Sequence, residues 1–491
     1  MKQADCINIE EITTNKRNQE LLCRLKIDSV YFPTRHVFIQ NHHDDKYHDS
    51  YVPHGAFDMK WLGYFIGENT SVTELNFNSF TPTSRESVAE VLEAFIRGVN
   101  SNKSITDLSF DCMDSMYLLG GRVFSLLTPF FENMRSMSNI LIRDCNLGDD
   151  GWKLLALAIG SSNDSPFNSL LLQNNNISDK SLVNIITALS KHQHLKEMDL
   201  SGNGLGKNGC IALSTLLQNS VTGLLKLDLA NNEIDDEGIN ALLSALKNCS
   251  HLHTMVLSQN DRVTIKGLQC IASVLESPDS SLKILAAAMA KTYTTDEMAT
   301  VFLNPLANNH KLEYLFINAS GGLGDKFGRL IWDKSNVNST FLSNHIIQYI
   351  GPPSNMSGNG WHCQINKREN KEEVAMIKIL SCNRDFDMSS FFEWEFKVLP
   401  LMINWFERAD ITGHPRLKPR ILSAIYQFVR GMPLLYIEAR LRKEVEDMKV
   451  AETQMEEEQQ ELTGKLLDLE TKHQLSQKRK RCIMERLDQR L

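Results

Sequence analysis

LLKLDLANNEIDDEGINALLSAL, residues 224–246, carries two periodicities back to back. Leu227 and Leu229 alternate with Lys226 and Asp228 as in a half-buried strand, and Asn231 and Asn232 then break the run. Ile239, Leu242, Leu243 and Leu246 follow at the i, i+3, i+4, i+7 spacing of one helix face. Strand, turn and helix in so short a stretch cannot bury their own apolar strand face. Copies stacked in parallel can, because each covers its neighbour.

Such copies lie on both sides. The pattern L-x-x-L-x-L-x-x-N-x-L recurs in the segments that begin at Met137, Phe167, His194 and Leu252. The asparagine position is filled by Cys145, Asn175, Asn203, Asn232 and Asn260, so the spacings are 30, 28, 29 and 28. Weaker copies place Phe80 and Met113 there upstream, and Ala290 and Ser320 downstream, making nine repeats. At the positions eight, five and three residues before it, three in each of nine repeats, all 27 residues are apolar. Against a 42% hydrophobic composition this is not chance. Asparagine suits the end of the strand because its amide can satisfy both donors and acceptors of the backbone, and the Cys145 thiol substitutes weakly. Gly151, Gly209, Gly238 and Gly267 follow the turn, where a crowded or positive-φ site before a helix needs glycine.

Over residues 72–323 the chain resembles the ribonuclease-inhibitor type of leucine-rich repeat. That resemblance implies an α/β solenoid, with parallel strands lining a concave face and helices on the convex face. Members bind proteins, activate small GTPases or sense ligands, and the fold alone does not choose among these. The tail, with NKEEVAMIKIL, VLPLMINWFER and YQFVRGMPLL, resembles that of uncharacterised repeat proteins of unicellular algae, which supplies no biochemical role.

Between the buried positions, strand side chains point to the opposite face. The expected concave surface includes Glu74, Asp107, Asp111, Arg143, Asp144, Gln173, Asn174, Glu197, Asp199, Lys226, Asp228, Asn231, Gln259, Tyr314 and Phe316. Acidic residues outnumber basic ones there, which points to a protein partner with a basic or mixed surface. Nine strands at roughly 4.8 Å spacing make a wall about 40 Å long, the scale of a protein domain. With 60 acidic and 52 basic residues the net charge is −8, which argues against general binding to nucleic-acid phosphates.

The flanks read differently. Residues 1–71 are expected to cap the solenoid, with KWLGYFIGENTSV resembling the helical half of a unit. His42, His43, Asp44, Asp45, His48 and Asp49 offer metal-ligand chemistry, but without H-E-x-x-H spacing they read as a polar loop. Residues 324–433 read as a degenerate, helical C-terminal cap, and GGLGDKFG lacks the G-K-S/T of a phosphate loop. Residues 434–491 read as a long coiled-coil helix: with Val445 at a, eight of fourteen a and d positions are apolar. Residues 444–470 hold ten acidic and two basic side chains, and 471–491 two acidic and seven basic, so homodimer pairing would run antiparallel.

No signal-peptide core and no apolar run long enough to span a bilayer is present. Ten cysteines are scattered without C-x-x-C, as reduced core thiols are. The N-x-S/T triplets at Asn69, Asn102 and Asn248 are discounted as glycosylation sites. These features indicate a cytoplasmic protein, with KRKR at 478–481 admitting a nuclear one. The expectation is a non-enzymatic adaptor without cofactor or metal. The alternative is a regulator that activates a small GTPase, for which Arg143 and Arg262 are the candidate arginines. A ubiquitin adaptor of the F-box kind is disfavoured, because residues 1–71 lack a leading helical box.

Overall fold

A computed structural model describes residues 7–28, 34–41, 49–78, 87–111, 137–161, 166–219, 223–246, 249, 251–277, 280–289, 293–320, 322–335, 337–352, 361–369, 371, 374–375, 378, 448–449, 452, 455 and 476–477. The chain divides into two compact units. One comprises residues 1–333 and 343–374, and the other residues 334–342 and 375–491, in which the described helix is Val337–Leu342. The coiled-coil expectation for 434–491 and the cluster from His42 to His48 fall outside the described residues, apart from isolated positions.

The first unit is built on one long sheet. In chain order its strands are β1 (His36–Ile39), β2 (Ser50–Tyr51), β3 (Glu74–Asn78), β4 (Asp107–Asp111), β5 (Asn139–Arg143), β6 (Ser169–Leu171), β7 (Glu197–Asp199), β8 (Lys226–Asp228), β9 (Thr254–Val256) and β10 (Ile284–Ala286). Next come β11 (Tyr293–Thr294), β12 (Tyr314–Phe316), β13 (Ala319–Ser320), β14 (Tyr349–Gly351) and β15 (Trp361–His362). Thirteen of them form a single sheet in the order β2-β1-β3-β4-β5-β6-β7-β8-β9-β10-β12-β14-β15, while β11 and β13 pair separately. Every neighbouring pair in the long sheet is parallel except β14 with β15.

Register is kept from end to end. Leu75, Leu108, Ile140, Leu170, Met198, Leu227, Met255, Leu285 and Leu315 stand opposite one another strand after strand. All 27 residues at the three core positions are buried, none more than 3% exposed. The helices pack behind this wall, with Ile239, Leu242, Leu243 and Leu246 among the buried residues, as one apolar helix face requires. The sheet also continues past residues 72–323. Val37 and Ile39 of β1 stand opposite Leu75 and Phe77, and Ile350 of β14 stands opposite Leu315.

The turn asparagines form a ladder between repeats. Asn175 accepts from Cys145 N (2.9 Å) and Asn146 N (3.1 Å), and donates to Ile142 O at 2.6 Å in the preceding repeat. Asn203 repeats this one unit on, accepting from Asn175 N and Ile177 N and donating to Leu172 O. Asn232 accepts from Leu205 N and donates to Leu200 O; Asn260 accepts from Ile234 N and donates to Leu229 O. Each amide therefore satisfies backbone groups that the strand leaves unpaired at its end. Cys145 fills the same place with a weaker contact, its thiol donating to Arg143 O at 3.1 Å.

A second polar column lies eleven residues earlier, where helix turns back into strand. Asn69, Asn102, His192 and Asn309 occupy it, all buried. Asn102 donates to Ile66 O and Asn69 O, and Asn309 donates to Leu275 O. Asn69 and Asn102, which match glycosylation triplets, are thus committed to backbone carbonyls in the interior.

The recurrence of glycine after the turn comes from crowding. Gly209, Gly238 and Gly267 lie inside helices, and a Cβ on Gly267 would stand 2.4 Å from Asp236 Oδ1. That carboxylate accepts from Thr264 N and Gly267 N, so one repeat caps the next helix. Among the described residues no helix is long and apolar enough to cross a membrane.

Candidate functional site

The strand face offers a row of side chains spaced by the sheet itself, about 4.8 Å from one strand to the next. Its N-terminal part is a chain of charge-assisted contacts. His36 meets Glu74, and Asn139 donates to Asp107. Arg143 forks onto Asp111, its Nε 2.8 Å from Oδ1 and its Nη2 on Oδ2.

The middle of the face is acidic and more enclosed. Glu197 stands in register with Lys226 and accepts from its Nζ at 2.6 Å. Asp199 stands opposite Asp228. Asp199 accepts from Ser201 N (2.9 Å), Ser201 Oγ (2.7 Å) and Gln173 Nε2 (2.9 Å). Asp228 accepts from Ala230 N at 2.9 Å. Burial lifts the Asp228 carboxyl from 3.8 to about 6, with the nearby Asp199 adding to the rise.

A raised carboxyl pKa gives stability that is full below 3.8 and is lost as pH rises through about 6. Asp228→Asn is therefore expected to raise the melting temperature at pH 8 and to leave it unchanged at pH 3. Thermal melts across that range check this, and a variant less stable than the parent at pH 8 would contradict it.

Asp144, Asn174, Asn231 and Gln259 sit elsewhere than in a strand. They occupy the residue before the ladder position, all at left-handed φ: 52°, 55°, 53° and 59°. Most described central strands are three residues long, so the chain has already turned at this point. Gly202 fills the same column at φ 68°, where a Cβ would stand 1.8 Å from Asn174 Oδ1. Gln173 also lies past the end of β6 but still reaches Asp199. Tyr314 and Phe316 are on β12, half-buried, with parallel rings 6.4 Å apart.

The two arginines considered for catalysis both meet carboxylates. Arg143 is bound to Asp111, and Arg262 Nη2 lies 2.8 Å from Glu233 Oε2. Asp49, the described end of the histidine cluster, pairs with Arg24. No group of three or more histidines, cysteines or carboxylates suited to a metal ion occurs among the described residues. Their cysteines are free thiols, and burial pushes Cys210 up to about 12, which removes it as a nucleophile.

A family model described as Leucine Rich repeat matches residues 191–214 and 223–243. NACHT, LRR and PYD domains-containing protein 5 of Mus musculus is 26% identical over 215 residues, covering 38% of this chain and 18% of that protein. Protein phosphatase 1 regulatory subunit 37 homolog of Caenorhabditis briggsae is 27% identical over 158 residues, covering 31% of this chain and 17% of that protein. The chain thus spans less than a fifth of the length of either relative. Among solved structures, an internalin from Listeria monocytogenes aligns with a TM-score of 0.33 and 13% identity, covering 63% of this chain and 91% of that one. With parallel strands in constant register, a ladder of turn asparagines and a helix closing each unit, this chain is a leucine-rich-repeat protein.

Proposed function

We propose that this protein is a non-enzymatic intracellular scaffold that holds a partner protein on the strand face of its repeats. The observation that supports it best is the acidic step at β7 and β8, where Asp199 and Asp228 stand opposite each other and one lysine, Lys226, is already bonded to Glu197. Glu197, Lys226 and Asp228 are half-buried over the buried Asp199, and this excess of negative charge favours a basic or mixed surface in the partner. The Glu197→Lys/Asp228→Lys variant is expected to lose proteins that the parent captures, by about tenfold or more in affinity. Retention of every captured protein by a correctly folded variant would sink the reading. Among the described residues no geometry favours GTPase activation, since Arg143 and Arg262 lie in ion pairs. Hydrolysis by a panel of small GTPases is expected to stay flat when the chain is added.

The terminal segment, residues 434–491, is proposed to join two copies, on the strength of its heptads and segregated charge. Light scattering is expected to give a dimer for the full chain and a monomer for a chain ending at Pro433. Equal masses for the two per chain would remove this part of the proposal.

A further inference from the structure

The strand face changes chemistry at β9. On one side are Glu197, Lys226, Asp199 and Asp228; on the other, in the same two columns and interrupted by Thr254 and the buried Ala286, come Val256, Ile284, Tyr314 and Phe316. All four of the latter are half-buried, so each keeps part of its surface outward. The aromatic end is held rigidly. Phe316 lies 5.4 Å from the buried ring of Tyr349, and the Tyr314 hydroxyl donates to Gln348 Oε1 at 2.6 Å. Rigid aromatic surface binds with little entropic cost, which is why such residues dominate interface energetics.

Charge decides what fits beside it. Lys226 donates to Glu197, so the half-buried Asp228, in register with the buried Asp199, presents negative charge that the strand itself does not offset. In the sheet order β8, β9, β10 and β12 are consecutive neighbours. Three steps of about 4.8 Å place Asp228 about 14 Å from the aromatic shelf, and Asp199 on β7 stands one step farther, at about 19 Å.

We propose that this stretch of face seats a polypeptide segment that lays an apolar side chain against Tyr314 and Phe316 and reaches Asp228, backed by the charge of the buried Asp199, with a lysine or arginine. The proposal deepens the scaffold reading and rests on it. An extended segment advances about 3.3 Å per residue, so anchor and cation stand about four residues apart.

The test is selection of a displayed library of random peptides on the immobilised full-length chain. Enriched peptides are expected to pair an aromatic or large aliphatic residue with a lysine or arginine about four positions away. Phe316→Lys is expected to weaken them about tenfold or more, and Asp199→Asn/Asp228→Asn about tenfold with loss of their salt dependence. The asparagine pair is conservative, since Asn keeps the acceptor for Ser201, and the Gln173 amide can turn its unpaired Oε1 toward the new donor. Where Phe316→Lys lowers the circular dichroism signal, Ile284→Lys replaces it.

Peptides that lack the basic residue, or that ignore the asparagine pair, would overturn the proposal, as would the absence of any enrichment. Peptides lost on Glu197→Lys but indifferent to Phe316→Lys and Ile284→Lys would overturn it and leave the scaffold reading standing. Peptides indifferent to every strand-face substitution would overturn both.

Discussion

Replacing Asn203 by alanine is expected to destabilise the repeats by about 4 kcal/mol, near the upper limit for a single substitution. The side chain is only 7% exposed and makes five backbone hydrogen bonds. It accepts from the amides of Asn175 and Ile177, and donates to the carbonyls of Leu172, Leu200 and Ser201. Alanine takes this partner from the Asn175 and Ile177 amides and the Leu172 carbonyl in a dry interior, while Leu200 O keeps Asn232 Nδ2 and Ser201 O keeps Asn174 N. Aspartate does no better, because its second oxygen would face the carbonyls that the amide now donates to. The measurement is hydrogen exchange: the Asn175 and Ile177 amides are expected to lose protection first, with the denaturation midpoint falling alongside. Unchanged protection at both amides would show that the ladder is not what closes this turn.

Gly63→Ala is expected to cost about 3 kcal/mol, although alanine is ordinarily the better helix former. Gly63 lies in the helix Ala56–Glu68, which packs against the helix Val88–Val99. A Cβ there would stand 2.2 Å from Phe95 O, and one on Gly98 would stand 2.5 Å from Tyr64 N. Both obstacles are backbone, so the helices must separate and part of their packing around Phe95, Ile66 and Leu62 is lost. Gly160 supplies the control. Its would-be Cβ meets nothing nearer than Ala188 Cβ at 3.5 Å, so Gly160→Ala is expected to be neutral or stabilising by up to about 1 kcal/mol. Equal effects of the two substitutions in a denaturation series would refute the close-approach argument.

The repeat phase was legible because it is written in volume and polarity. Burying one strand face demands apolar side chains at fixed intervals, and all of the residues so identified are buried. The outlying strands were hidden where that demand is relaxed. β1 has Thr34, itself 4% exposed, where the nine repeats carry an apolar residue, and β14 is followed by Pro352. The strand-face candidates were only partly legible. Glu197, Asp199, Lys226 and Asp228 lie on strands, yet Asp144 and Gln259 sit in left-handed turns, because alternation in a sequence does not tell where a strand ends. The column of Asn69, Asn102, His192 and Asn309 went unread since its residue type varies, although their constant offset from the turn position is visible once both ladders are known.

The ladder has translational symmetry, and this bears on how such a chain can change over generations. Each turn asparagine bonds only backbone groups, those of its own turn and of its immediate neighbour, never the side chains on the strand face. Duplication of one unit within the gene therefore yields another unit that docks by the same bonds and lengthens the wall by about 4.8 Å. Substitution on the face, likewise, leaves the asparagine ladder bonds themselves in place. Inheritance can thus rewrite the recognised partner one strand at a time while the scaffold that displays it stays the same.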